Sequence, residues 1–519
     1  MLATVYLLVT SLAGFAVATR VAPSAPAIVR VPAGFLLSVV FTSWTTYLVA
    51  IGLSGATDHS LKIGIIVSTL LGAAVLVKWG RSIRPRHFKV PLIDVAVAVF
   101  GLALTSWLIH AHFQEENGEL MVSANTWGDM GLHVALARSF SVGGNYPTEY
   151  PFFAGEPIRY HFGFDFFAGM LQEGGFSVLR SFNLPGVLGF TAMILLTFAT
   201  ARLLFSPLVK EGEKKIRAFR DKGVWAGLVA VALLVTNQSL GWERYLQADG
   251  GGSITKALTP SVLWDHKDYL TGGPYTDDRI AMFNTLNPYL TQMHLIVMVA
   301  VVMLLAWVVI WQLKSEDGPD KRVLVGVGVA FGFSFWLNGV VWLATAVFLG
   351  TMLAFWGLAA ARSARKGRRD TGDAATDAGA GADADTTVAT SKPATAEAGK
   401  GRTTPRGELV RWLGIGACFV VPALLLGVPQ AMLLNGGGTS GGLKTHLSYL
   451  VCGSTSSSCH EPGGGSMNLL SLADWWTFVE YWWLNEGLFI PLLVVAFVLG
   501  NGRDRKIIGA VTCIFIWGS

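Results

Sequence analysis

The sequence predicts an all-α polytopic membrane protein, with about 11–12 transmembrane helices and long extracytoplasmic loops that carry short amphipathic helices. Three observations carry this prediction. The chain of 519 residues is 52% hydrophobic and only 14% charged, with a mean hydropathy of +0.50. A soluble domain carries about a quarter charged residues. Apolar runs of about 20 residues, the length of a bilayer span, recur along the chain, and in lipid such runs become helices because the backbone has no water to bond. Lys and Arg, finally, collect in alternate connections, as cytoplasmic loops do. The net charge of +5 is uninformative as a total, and no basic pattern points to nucleic acid. The 18 Trp suit anchoring at the membrane interface.

The elements follow in order. The first apolar run, 2–18, lacks a basic leader and is read as a retained span rather than a cleaved signal. The connection between Arg20 and Arg30 is placed inside. Arg81, Arg84, Arg86 and Lys89 separate the spans 61–79 and 90–109 and are also inside. Residues from about 110 into the 160s then lie outside. The span 184–205 returns to the basic stretch 210–222, inside. The span 224–235 leads to a second outer loop, and 286–313 returns to "KSEDGPDKR". Two spans, 323–337 and 340–360, come next. Residues 362–411, rich in Ala, Gly, Thr and Asp, read as a disordered cytoplasmic linker. The span 413–434, a third outer loop and the span 487–500 complete the series. The last run, 507–517, is shorter than a span, so a longer native chain is expected. The resulting division is 1–89, additional N-terminal helices; 90–361, a core with outer loops 110–183 and 236–285; the linker; and 412–519, C-terminal helices with outer loop 435–486. Cys418 and Cys513 sit in apolar runs and are expected to be buried thiols. Cys452 and Cys459 share one loop and would pair in an oxidising compartment, the alternative being two free thiols.

The chemistry gathers outside. The first outer loop holds Asp129, Glu156 and Asp165 with His133, Arg159 and His161, interleaved with aromatic residues such as Tyr160. A helix starting near Asp129 puts Asp129 and His133 on one face, four residues apart. A second helix over 160–170 does the same for His161 and Asp165, after a turn set by Gly155 and Pro157. Taken singly, each residue has a bland reading: Asp129 as a helix cap, the histidines as interface residues, Arg159 as a snorkelling side chain. Together, at the mouth of a bundle, they read as a site. In the second outer loop, Asp265, His266, Asp268, Asp277 and Asp278 offer ligands to a divalent cation, although short acidic clusters are more often simply solvated. No cofactor is otherwise identified. His294 differs in lying within the first turns of a span. The tryptophans of "WWTFVEYWW" in the third loop suit a helix lying on the membrane.

"WGDMGLH", followed by "NYPTEYPFFAGEPIRYHFGFDFFAGML", resembles the first outer loop of polytopic glycosyltransferases of the GT-C superfamily. It is most similar to a family with an AGEPI-Y-Y motif there. Where that family has three tyrosines, this chain has Arg159, Tyr160 and His161. "NPYLTQMHLIVMVAV" resembles a segment in which histidines open a span, and His294 carries over. "FGFSFWLNGVVW" is similar to a Trp-rich span with an Asn, matched by Asn338 but without the neighbouring aspartate. The resemblance implies a GT-C-like helical bundle and a multi-pass enzyme of the cell membrane and cell envelope, with its active site on the extracytoplasmic side. It implies a hexosyl- or pentosyltransferase that takes sugar from a polyprenyl-phosphate donor to a glycan, lipid or protein acceptor. A carboxylate of the first outer loop acts as general base. Asp129 matches that position, with Glu156 and Asp165 as alternatives. His133, Arg159, Tyr160, His161, Arg244 and His294 are then the candidates for holding the lipid phosphate.

Competing readings are a transporter or flippase for a lipid-linked substrate, a non-catalytic assembly subunit, and an intramembrane hydrolase. Transport calls for polar groups in mid-membrane on broken helices, whereas here they gather in the loops. A hydrolase calls for GxSxG or HExxH on a span, and no span carries either.

Overall fold

The computed structural model describes residues 1–83, 90–122, 127–146, 148–205, 221–236, 252–257, 292–315, 319–350 and 405–435, with isolated positions besides. The described chain is a helical bundle. It runs α1 (Leu2–Val21), α2 (Ala27–Leu53), α3 (Ser60–Trp79), α4 (Leu92–His112), a hairpin of β1 (Phe113–Glu116) and β2 (Glu119–Val122), and α5 (Trp127–Ser141). A second hairpin of β3 (Glu149–Tyr150) and β4 (Phe153–Pro157) precedes α6 (Gly163–Glu173), α7 (Val178–Phe205) and α8 (Lys222–Thr236). Then come α9 (Met293–Lys314), α10 (Lys321–Phe333), α11 (Gly339–Gly350) and α12 (Pro405–Asn435). Seven of these helices are long and apolar enough to cross a membrane, so the chain is a multi-pass membrane protein whose surface meets lipid.

Several expectations shift. The connection between Arg20 and Arg30 shrinks to residues 22–26, because both arginines lie in helices. The C-terminal stretch of the predicted linker, 405–411, is helical: α12 opens on Pro405, whose fixed φ suits a first turn. The predicted span 323–337 stops being α-helical at Phe333. A 3₁₀ turn, Ser334–Leu337, and an extended Asn338 follow, and Asn338 Oδ1 accepts from Val341 N–H at 3.0 Å to start α11. Cys418 is half-buried rather than buried. The Cys452–Cys459 pair, Cys513, the acidic cluster of the second loop, the tryptophans 475 and 482, and Arg244 lie outside the described residues.

In lipid, helices associate through close packing rather than hydrophobic exclusion, and small residues allow the closest approach. Gly14 of α1 lies directly against the Gly34 carbonyl of α2, where a Cβ has no room. The three N-terminal helices share one apolar core with the rest of the bundle. Ala3 N–H donates to Gly174 O at 2.9 Å, Tyr47 and Thr148 share a hydroxyl–hydroxyl bond of 2.7 Å, and Trp44 Nε1 donates to Phe333 O at 2.8 Å. At the other end of the bundle, Arg202 of α7 meets Asp94 of α4 at 2.9 Å and Asp221 at 3.8 Å. Lys314 of α9 donates to the terminal carbonyls of α7 at Leu203 and Leu204, groups that a helix end otherwise leaves unpaired.

Candidate functional site

Two short helices build the site. α5 holds apolar Leu136, Ala137 and Phe140 fully buried. α6 is buried along almost its whole length, from Gly163 to Gln172. The two meet where Gly169 faces Ala137. A Cβ on Gly169 would lie 2.5 Å from the Ala137 carbonyl oxygen, so only glycine lets the backbones approach this closely. One turn earlier on each helix stand Asp165 and His133. The same approach brings them together: His133 Nδ1 lies 3.0 Å from Asp165 Oδ1 and 3.1 Å from Oδ2. The two residues are 3% and 1% exposed.

The acid brought to His133 Nδ1 is thus Asp165, 32 residues along the chain. Spacing within one helix does not reveal such a pair. Asp129 is on α5, but its side chain lies outside the described residues. The helix predicted over 160–170 begins only at Gly163, so His161 precedes it and shares no face with Asp165. Gly163 is needed at that point because the Trp336 ring lies where a Cβ would be, at 2.7 Å. Trp336 stacks on Trp44 at 4.3 Å and packs against Phe162, Phe166 and Tyr47, making an aromatic floor beneath the site. Sequence reasoning missed Trp336, Gly163 and Gly169. The small residue in "FFAGML" and the break in "FSFWLNG" were the available signals.

His161 stacks on Tyr160, with ring centroids 3.9 Å apart. His294, at the start of α9, sits between two histidines, 4.7 Å from the ring of His133 and 4.7 Å from that of His161. Tyr160 closes the group, 6.0 Å from His133 and 6.2 Å from His294. Five predicted residues, His133, Tyr160, His161, Asp165 and His294, therefore converge from three separate segments. Glu156 and Arg159 do not join them: they pair with each other at 3.3 Å on the exposed hairpin. That pair lines a groove with Tyr150, Phe153, Pro157 and Tyr160, and Tyr160 is the wall between groove and histidines. The hairpin turns at Pro151 and Phe152, whereas Gly155, expected in a turn, lies within β4 at φ +83°, where the strand pairing is irregular, with its N–H held by Glu149 Oε2 at 2.9 Å.

The electrostatics are those of a dry site. Burial pushes His161 down to about 3, with His133 adding to the shift, so its imidazole is neutral at physiological pH. Burial pushes the Asp165 carboxyl up, and His133 beside it pulls it back down. His294 is 1% exposed, and neither of its ring nitrogens has a hydrogen-bond partner among the described residues. The same holds for His161 Nε2. An unmet buried polar group costs about 1–3 kcal/mol, and such groups call for an explanation in a ligand or an ordered water. Among the described residues, no three of His, Cys, Asp and Glu are arranged to hold a metal ion. The arrangement can present imidazole donors and acceptors, a phenol and a carboxylate-backed histidine to a polar ligand at one end of a membrane bundle. No family model, curated protein or solved structure matches the chain.

Proposed function

We propose that this chain is a membrane glycosyltransferase. It moves a sugar from a polyprenyl-phosphate donor to an extracytoplasmic glycan, lipid or protein acceptor. The observation that carries the reading is the gathering of buried His133 and His294 and half-buried His161 around Tyr160 and Asp165, with ring nitrogens of His161 and His294 unmet among the described residues, at the end of a lipid-embedded bundle. A lipid phosphate presents its oxygens at the depth where span ends and short loop helices meet. There His161, His294 and Tyr160 supply N–H and O–H donors for the departing phosphate, and Arg159 on the groove supplies a charge. Neutral imidazoles serve here as hydrogen-bond donors rather than cations.

Transfer also requires that the acceptor hydroxyl lose its proton. The first outer loop offers Asp129, Glu156 and Asp165 for this, of which Glu156 is exposed and paired to Arg159. The GT-C resemblance and the acidic, aromatic loop support the same reading. Transport is less well supported, because the buried polar cluster sits on short helices and at the start of α9 rather than midway along a span.

The test is a transfer assay on the full chain in lipid, with a panel of labelled polyprenyl-phosphate sugars and membrane-extracted acceptors. The wild type is expected to transfer from one donor. His294→Ala, with its fold retained, is expected to lose about 100-fold or more, the scale of a removed transition-state donor. Transfer from no donor at all would sink the reading.

A further inference from the structure

We propose that the groove between α4 and α7 is a binding site for one anionic phospholipid of the bilayer, with its phosphate on Arg180 and an acyl chain along the two helices. The site shares no residue with the histidine cluster, and the inference stands whether or not the chain is a glycosyltransferase. The groove, about 430 Å³, runs beside the seam where Thr105 and Thr191 share a hydroxyl bond of 2.8 Å. Its polar and apolar parts are segregated. Arg180 and His110 stand at one end, where α4 stops and α7 starts, and Leu102, Val187 and Leu188 line the other. Leu102 is 48% exposed, on the surface that meets lipid. Leu102 and His110 are eight positions apart on α4, about 12 Å of helix. That is close to the depth of one leaflet, about half of a hydrocarbon core of about 30 Å.

The charge at the polar end is unbalanced. Arg180 lies in the first turn of α7, which contains no acid. A helix start already carries partial positive charge, so the guanidinium and the helix end attract an anion together. Among the described residues no carboxylate pairs with Arg180. The other polar residues of the groove bring no negative charge. His110 Nδ1–H donates to Ser106 O at 2.8 Å, and Asn183 Nδ2 donates to Phe113 O at 2.8 Å. The Arg180 guanidinium lies over the Phe176 ring, 4.3 Å from its centre. Contact through the face of the guanidinium leaves its N–H edges for bidentate recognition of a phosphate. The occupant that completes this groove carries an anionic phosphate next to hydrocarbon of leaflet length. An acyl chain has that length, which selects a phospholipid over a longer isoprenoid.

Native mass spectrometry of the full chain in detergent tests this without any assay of transfer. The chain is titrated with phosphatidylglycerol, phosphatidylcholine, diacylglycerol or a polyprenyl phosphate. Phosphatidylglycerol is expected to bind about 10-fold more tightly than phosphatidylcholine or diacylglycerol, the scale of a hydrogen bond to a charged group. Arg180→Gln is expected to weaken it about 10-fold, whereas Arg138→Gln, at an exposed arginine of α5, leaves it unchanged. Leu102→Trp fills the apolar half from the surface and is expected to weaken it to a similar degree while the melting temperature holds. Phosphatidylglycerol bound alike by the wild type and both groove variants would overturn the proposal, and is the result expected if another segment of the chain or a second copy covers the groove. A loss in Arg180→Gln without one in Leu102→Trp would put the lipid outside the groove and overturn it as well. Tighter binding of the polyprenyl phosphate than of phosphatidylglycerol would overturn the choice of a phospholipid.

Discussion

His161 is a titratable group held where protonation is costly. Its ordinary value is about 6.5, and burial lowers it to about 3 in the folded chain. Between those two values the unfolded chain binds a proton that the native chain refuses. Its contribution to stability is therefore complete above about pH 6.5 and is lost as pH falls toward 3, by at most about 1.4 kcal/mol per pH unit. Asp165 acts in the opposite sense, because its raised value lets the native state keep a proton longer as pH rises. Comparing the wild type with His161→Asn isolates the first effect. Thermal unfolding in detergent is expected to show the wild type losing stability more steeply than His161→Asn between pH 7 and 5. Parallel slopes would show that the ring is not held neutral by the fold.

At the scale of elements, the decisive contact is that of α5 with α6 at Gly169 and Ala137. Gly169→Val places two methyl groups against a backbone carbonyl, so the helices must separate and the His133–Asp165 bond must lengthen. Unfolding is expected to be easier by about 1–3 kcal/mol, the cost of overpacking. The His133–Asp165 contact is expected to be lost with it, while Gly131→Ala on α5, where a Cβ meets nothing within 4 Å among the described residues, changes neither. The long described spans and the two loop helices were legible in the sequence because hydropathy and 3.6-residue periodicity report burial against lipid or core. The pairing of His133 with Asp165 was not. Spacing rules see only neighbours on one helix, and they assigned each histidine to the aspartate four residues away. Asp165 reaches His133 through an interhelical approach, whose trace in the sequence is the glycine of "FFAGML". The convergence of His294 is likewise a matter of where α9 starts in space, which local sequence does not encode.

At the scale of the molecule, the charge pattern predicts the histidine site on the outer face and the Arg81 connection on the inner one. Glu156→Cys in a cysteine-free background is expected to react with a membrane-impermeant maleimide in intact cells, and Arg81→Cys only after the membrane is opened. The reverse labelling would invert the orientation. The sequence division at residue 89 is also softened by the structure. Tyr47 and Trp44 of α2 reach Thr148 and Trp336, so the N-terminal helices supply part of the aromatic floor. The unmet nitrogens of His161 and His294 have a further consequence, through linkage. Any molecule that completes their hydrogen bonds binds the native chain and not the unfolded one, so it must raise the melting temperature, by about 2.7 kcal/mol of stabilisation at 100 times its Kd. The site thereby reports its own occupant: a thermal-shift series over lipid phosphates and sugars ranks ligands before any reaction product has been identified.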